Sequence, residues 1–199
     1  MIDEEKIKVM RDPSNKLKLV MLRGLPSCGK TYRAMELAKE SPNSVVISAD
    51  DYFGEDLEQY RASWNYESAY QAHIYCESTT KTAMQKKVPL VIVANVNANI
   101  RDLKLYFELA YDLGYQFIIA EPTSPWWLKD IAPFLHNKNR YKIELELAAE
   151  FLYEKSKESH GVPLDTIKKM IQKYHFNLNF NDMLENFRSK QLSNVLFES

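Results

Sequence analysis

Apolar residues occur along this chain in two rhythms. Short continuous runs at Leu17-Lys18-Leu19-Val20-Met21-Leu22, Val45-Val46-Ile47 and Leu90-Val91-Ile92-Val93 have the length and β-branched content of strands buried on both faces. Together with a similar run after Gly114, they predict strands over 17–22, 44–49, 90–94 and 115–120. The intervening segments follow a helical period instead. Ala34, Met35, Leu37 and Ala38 make one apolar side with Arg33, Glu36 and Lys39 between them, and good helix formers fill 66–86 and 100–113 before Gly114 ends the latter. Such alternation predicts an α/β fold, a mainly parallel sheet with helices on both faces.

After Glu121 the alternation stops. Helical patterns cover 141–158, 164–174 and, more weakly, 182–192, with Gly161 and Pro163 separating the first two. Ligands of open α/β sheets sit at the carboxyl ends of the strands, so this region is expected either as a helical lid over the site or as a plain C-terminal cap.

Composition narrows the class. At 199 residues, 45% hydrophobic and 12% aromatic, the chain sustains one globular core, which excludes a mainly disordered protein. A formal net charge of -1 supplies no global field for nucleic acid, so such a partner would have to meet a local basic patch. Two cysteines, no signal-like N-terminus and no long apolar stretch point to a reducing compartment, cytoplasmic or nuclear, and to no membrane partner.

The first strand runs directly into Gly24-Leu25-Pro26-Ser27-Cys28-Gly29-Lys30-Thr31, a complete G-x-x-x-x-G-K-[ST] phosphate-binding loop between a strand and a helix. The glycines let successive backbone N–H groups converge on phosphate oxygens at the positive end of the helix dipole. The loop residues Gly24, Pro26, Ser27, Cys28, Gly29, Lys30 and Thr31 are therefore the expected binding site for ATP or another nucleoside triphosphate. Lys30 is expected on the β- and γ-phosphates and Thr31 on Mg2+. A disulfide at Cys28 would obstruct the ligand. The thiol is either activated by Lys30 and the helix N-terminus, with a lowered pKa, or a small tolerated loop residue.

Further candidates cluster at the predicted strand ends. Ser48-Ala49-Asp50-Asp51-Tyr52 puts two carboxylates after the second strand; Asp50 is the candidate base for an acceptor hydroxyl, and Asp51 a candidate cap. The third strand ends Val93-Ala94-Asn95-Val96-Asn97, without the acid that often helps hold magnesium there. Asn95 or Asn97 could bond a metal-bound water or a phosphate, or simply shape the turn. Trp126 and Trp127 are candidates for base stacking or for the core. Arg61, Trp64 and Tyr66 are expected in a loop after Asp51, available to a nucleotide acceptor or merely exposed. Arg140, Lys155 and Lys157 are candidate lid cations, none singled out, or simply solvent-facing charges, and His73 is expected to be packed within its helix.

In order, RGLPSCGKT, SADDYF, VANVN, EPTSPWW and HGVPLDTIKKM resemble the landmarks of the polynucleotide 5′-hydroxyl kinase branch of P-loop kinases, related to the P-loop domain of cyclic-nucleotide phosphodiesterase-like proteins. The resemblance implies a P-loop NTPase fold and transfer of the ATP γ-phosphoryl group to a hydroxyl, with a nucleic-acid 5′ end as acceptor. It assigns Lys30 and Asp50 as catalytic and Thr31 to magnesium, and matches Tyr52 to the aromatic after the acid pair. Departures are equally specific. Ala94 or Asn95 replaces the usual strand-three acid, Lys155-Ser156 stand near where an Arg-Asn pair precedes His-Gly-Val, and extra sequence fills roughly 130–152. A small-molecule or nucleotide kinase, and a catalytically weakened nucleotide- or RNA-binding module, are the alternatives. The chain is thus read as a polar N-terminal extension over 1–16, a P-loop kinase-like domain over 17–176 and a C-terminal helical extension over 177–199.

Overall fold

The computed structural model describes residues 2–54, 57–63 and 65–197. Helix α1 (Glu4–Arg11) starts at Asp3, whose carboxylate accepts from the Glu5 N–H, and leads into β1 (Lys18–Leu22). Next come α2 (Lys30–Ala38), β2 (Ser44–Ile47), α3 (Leu57–Ser63), α4 (Tyr66–Gln85), β3 (Leu90–Ala94), α5 (Ile100–Leu113) and β4 (Gln116–Ala120). The C-terminal region carries α6 (Lys142–Ser156), α7 (Leu164–Lys173) and α8 (Phe180–Phe197).

The strands pair in parallel in the order β2-β3-β1-β4, with Leu22 level with both Ala94 and Ala120. All four therefore end at one edge. Side chains alternate across this sheet as strand geometry demands. Leu19, Met21, Val91 and Val93 pack into one core with α1, α4, α5 and α8, while Val20, Leu22, Ile92 and Ala94 pack with Ala34 of α2 on the other face. Continuous apolar runs thus reflect burial on both faces, and the architecture is the α/β P-loop NTPase fold.

Local chemistry sets the element ends. Asn99 caps α5 by accepting from the Arg101 N–H at 2.9 Å, Asp102 closes the capping box, and Gly114 adopts the left-handed conformation (φ 75°) that ends the helix. The second strand stops at Ile47 rather than at 49, because Ser48 and Asp51 form a reciprocal capping box that turns Ala49–Phe53 into a 3-10 helix. The stretch before residue 17, expected only as polar, contains α1, whose Ile7 and Met10 are buried in the main core. Beyond residue 177, Leu178, Met183, Leu184 and Phe187 join that same core.

A separate core builds the helical cap. Trp127, Ile131, Leu135, Leu145, Ala149, Leu152, Ile167, Ile171 and Tyr174 pack together and close on Leu25 and Cys28 of the phosphate loop. Part of the extra sequence after Trp127 is a π-helical turn, Trp127–Ile131, followed by a 3-10 helix, Ala132–Asn137.

Candidate active site

The loop from Gly24 to Gly29 joins β1 to α2 at the carboxyl edge of the sheet. The Gly24 N–H donates to Val96 O at 3.0 Å, tying the start of the loop to the segment after β3. A Cβ on Gly24 would lie 2.6 Å from Cys28 Sγ and 3.1 Å from Pro122, so the loop can curl this tightly only without a side chain there. Gly29 precedes α2 in a left-handed conformation (φ 94°) and offers no side-chain cap, which leaves the first N–H groups of the helix available to a ligand. From the far side, Ser124 Oγ donates to Cys28 O at 2.8 Å and Trp126 Nε1 to Ser27 O at 3.3 Å.

Lys30 folds back over this loop, its Nζ donating to Gly24 O at 3.0 Å and Leu25 O at 2.8 Å. Thr31 is exposed on the first turn of α2. Exposed helix N–H groups, a lysine ammonium and a hydroxyl at a helix N-terminus suit a phosphate chain. Among the described residues no group of three His, Cys, Asp or Glu side chains could hold a metal ion. Cys28 corrects one expectation. Burial pushes its thiol pKa up, and the nearby Lys30 only partly opposes this, so the buried thiol is not an activated one.

Asp50 lies at the same edge, beyond β2. Its carboxylate is 44% exposed, 3.5 Å from Ser48 Oγ and 3.7 Å from His160 Nδ1, which comes from the turn between α6 and α7. Asp51 is the cap that the sequence allowed: its Oδ2 accepts from the Ser48 N–H at 2.7 Å, while burial pushes its pKa up. Asn95 is buried and bonded to this turn, its Oδ1 accepting from the Ala49 N–H at 2.9 Å. Asn97, at a positive φ of 46°, donates through Nδ2 to Leu22 O at 2.8 Å and shapes the crossing between β3 and β1.

The remaining candidates separate. Trp127 is fully buried, with Nε1 donating to Glu121 at 3.2 Å, which assigns it to the core. Trp126 is half-buried against the loop, with Lys155 Nζ 4.4 Å from its ring centroid. Lys157 bonds Glu154 at 2.6 Å, and Arg140 stacks on Tyr141 at 5.4 Å. Arg61 sits on α3, not in a loop, and its Nη2 donates to Lys157 O at 2.7 Å and Ser159 O at 2.6 Å. It therefore clips the turn that carries His160. Trp64 and the side chain of Tyr66 lie outside the described residues. His73, expected to be packed, is exposed on α4.

Arg23, directly before Gly24, went unread in the sequence although it is fully buried. It donates to Asn97 O (3.2 Å), Ala98 O (3.1 Å) and His175 O (2.6 Å), stacks on Tyr174 at 4.3 Å and stands 3.7 Å from Glu121. Glu121 in turn accepts from the Tyr174 hydroxyl at 3.0 Å. The network joins β1, β4 and the end of α7 beneath the phosphate loop. Burial, above all, pushes the Tyr174 pKa up, and the hydroxyl stays a donor.

The sequence pattern of the AAA domain family matches residues 19–128, more than half of the chain, from β1 through the tryptophan pair. Human NEDD4-binding protein 2 is 31% identical over 160 residues, which are 79% of this chain, although the match spans only 8% of that longer protein. A chain of the Pnkp1/Rnl/Hen1 RNA repair complex is similar at 15% identity and TM-score 0.49, covering 88% of this chain and 47% of that one. The Deinococcus radiodurans tunicamycin resistance protein is similar at 12% identity and TM-score 0.44, covering 79% of each chain. With its phosphate loop on a parallel sheet and its match from β1 onward, the chain belongs to the AAA domain family and has a P-loop kinase-like fold.

Proposed function

We propose that this protein is an ATP-dependent phosphotransferase that moves the γ-phosphoryl group to a hydroxyl, with the 5′-OH of RNA or DNA as acceptor. The observation that carries the proposal is the common edge. Lys30 and the loop after β1 face the same end of the sheet as Asp50 after β2, and Asp50 keeps an exposed carboxylate. The loop N–H groups and Lys30 would hold the phosphates, and Thr31 the magnesium ion, which supplies charge neutralisation when bound. Asp50 would accept the proton of the attacking hydroxyl as its oxygen bonds to the γ-phosphorus and the bond to the β-phosphate oxygen breaks, releasing ADP. Acceptor class rests on the ordered motif resemblance, and the exposed Tyr52, two residues beyond Asp50, is available to a base.

A second reading is a nucleotide-binding module with weak turnover. It is favoured by the missing acid at the end of β3 and by Lys157, which is paired with Glu154. Transfer of labelled γ-phosphate from ATP and magnesium to 5′-hydroxyl oligonucleotides distinguishes the two. The proposal expects labelled product, none with Lys30→Ala, and a strong loss with Asp50→Asn while ATP still stabilises the fold. Label on small hydroxyl compounds alone would transfer the activity to a small-molecule kinase; nucleotide binding without transfer would favour the module.

A further inference from the structure

We infer that Asn95 is a positioning residue for the Asp50 turn, the amide that locks the turn onto β3, and not a remnant of a metal site. The inference rests on the phosphotransferase reading for its kinetic consequence and on geometry for its structural one.

Asn95 follows β3 directly and is only 9% exposed. Its Oδ1 accepts from the Ala49 N–H at 2.9 Å and lies 3.3 Å from Ser48 Oγ. Its Nδ2 donates to Cys76 Sγ on α4 at 3.3 Å, and the Tyr106 hydroxyl of α5 reaches the same sulfur at 3.5 Å. One amide therefore joins the sheet, the 3-10 turn and α4, and α5 meets it only through the shared Cys76 sulfur.

The backbone donors of the turn show why this matters. Ser48 N–H donates to Asp51 Oδ2, Asp50 N–H to Ser48 Oγ and Asp51 N–H to Ser48 O, all within the turn. Ala49 N–H is the donor in this series that reaches another element, and it does so through Asn95. The capping box gives the turn its shape; Asn95 ties its backbone to the end of β3, beside the 3.4 Å contact of Ser48 Oγ with Ala94 O and the burial of Ala49 and Phe53 in the core. The amide is also the group that fits, since it accepts on one side and donates on the other, whereas a leucine of similar size would leave Ala49 N–H buried without this partner. Both polar ends of Asn95 are spent on protein partners, so it has a structural employment that a metal-bound water would have to displace.

The test compares Asn95→Leu, Asn95→Ser and Asn95→Asp by amide hydrogen exchange and steady-state kinetics. Leucine cannot accept and serine is too short to reach, so both should raise exchange at 48–51 while exchange across the phosphate loop, 24–31, is unchanged. Serine serves if the leucine variant fails to fold. Misplacing a reacting group by about 1 Å costs on the order of 100-fold, so kcat should fall by about 10- to 100-fold with the KM for ATP and the magnesium dependence within twofold. Aspartate keeps the acceptor and should retain protection at 48–51. Unchanged exchange at 48–51 in folded Leu and Ser variants would overturn the inference. So would an Asn95→Asp protein that saturates at markedly lower magnesium, as a metal-site residue requires. If the wild type transfers phosphate to no acceptor, the phosphotransferase reading fails, while the exchange result still decides the role of Asn95.

Discussion

Replacing Arg23 with methionine tests whether the buried guanidinium holds the cap to the sheet beneath the phosphate loop. The substitution keeps the volume of the stem and removes every donor. Ala98 O retains a bond from the His175 N–H at 2.7 Å, but Asn97 O and His175 O both lose the Arg23 donor. An unsatisfied buried acceptor costs about 1–3 kcal/mol, and the stacking on Tyr174 adds about 0.5–2 kcal/mol. Glu121 loses its cation, but its side chain is one-third exposed, so water takes over part of that interaction. His175 is exposed, so water can serve its carbonyl, and the Asn97 acceptor with the lost stacking gives a loss of about 1.5–5 kcal/mol. For a chain of this size that is about 3–20 °C in Tm. Urea unfolding at constant m measures it directly. Arg23→Met/Glu121→Gln should recover part of the loss, because the glutamine leaves no uncompensated charge. A loss below about 1 kcal/mol would refute the account, as would a double variant no more stable than Arg23→Met.

Two further predictions concern stability against pH and the clip over Asp50. Burial pushes the thiols of Cys28 and Cys76 above their ordinary 9.0, Tyr115 to about 12, and Tyr106 and Tyr174 higher still. The unfolded chain then releases these protons first, so stability is intact below pH 9.0, falls above it and falls again above the ordinary tyrosine value of 10.0. Urea midpoints from pH 7 to 10.5 should show this, with Cys28→Ala weakening the first decline; a flat profile would contradict it. Arg61→Ala should cost less than about 1 kcal/mol, since Arg61 is exposed, yet it should speed amide exchange across 157–161, where its two carbonyl partners lie. Unchanged exchange there would mean that the clip does not form in solution.

What could be read from the chain divides according to how far each residue reaches for its partners. The strands, α5 with its Asn99 and Gly114 ends, and the phosphate loop were legible because their determining contacts fall within a few residues. The early end of β2 is legible in principle, since the apolar run stops at Ile47 and Ser48 and Asp51 stand three apart as a capping box requires. Helix α3 has no comparably clear sequence signature, and Trp127 gives no sign of which surface will cover it. Arg23 is the sharpest case. Its carbonyl partners lie 74, 75 and 152 residues away, and nothing next to it announces a buried cation. Cys28 stayed open between two readings for the complementary reason: Lys30 is visible two residues along, whereas the cap that helps bury the thiol comes from Trp127 onward. The residues that the motif names are thus local, and those that hold the motif in place are distant. The same rule applies to the Asp50 turn, where Ser48 and Asp51 could be recognised from spacing but Asn95, 46 residues from Ala49, could not. Sequence motifs will locate the phosphate loop in such a chain; whether its carboxylate stands in register with that loop depends on contacts such as the Asn95 amide, which appear only once the sheet is formed.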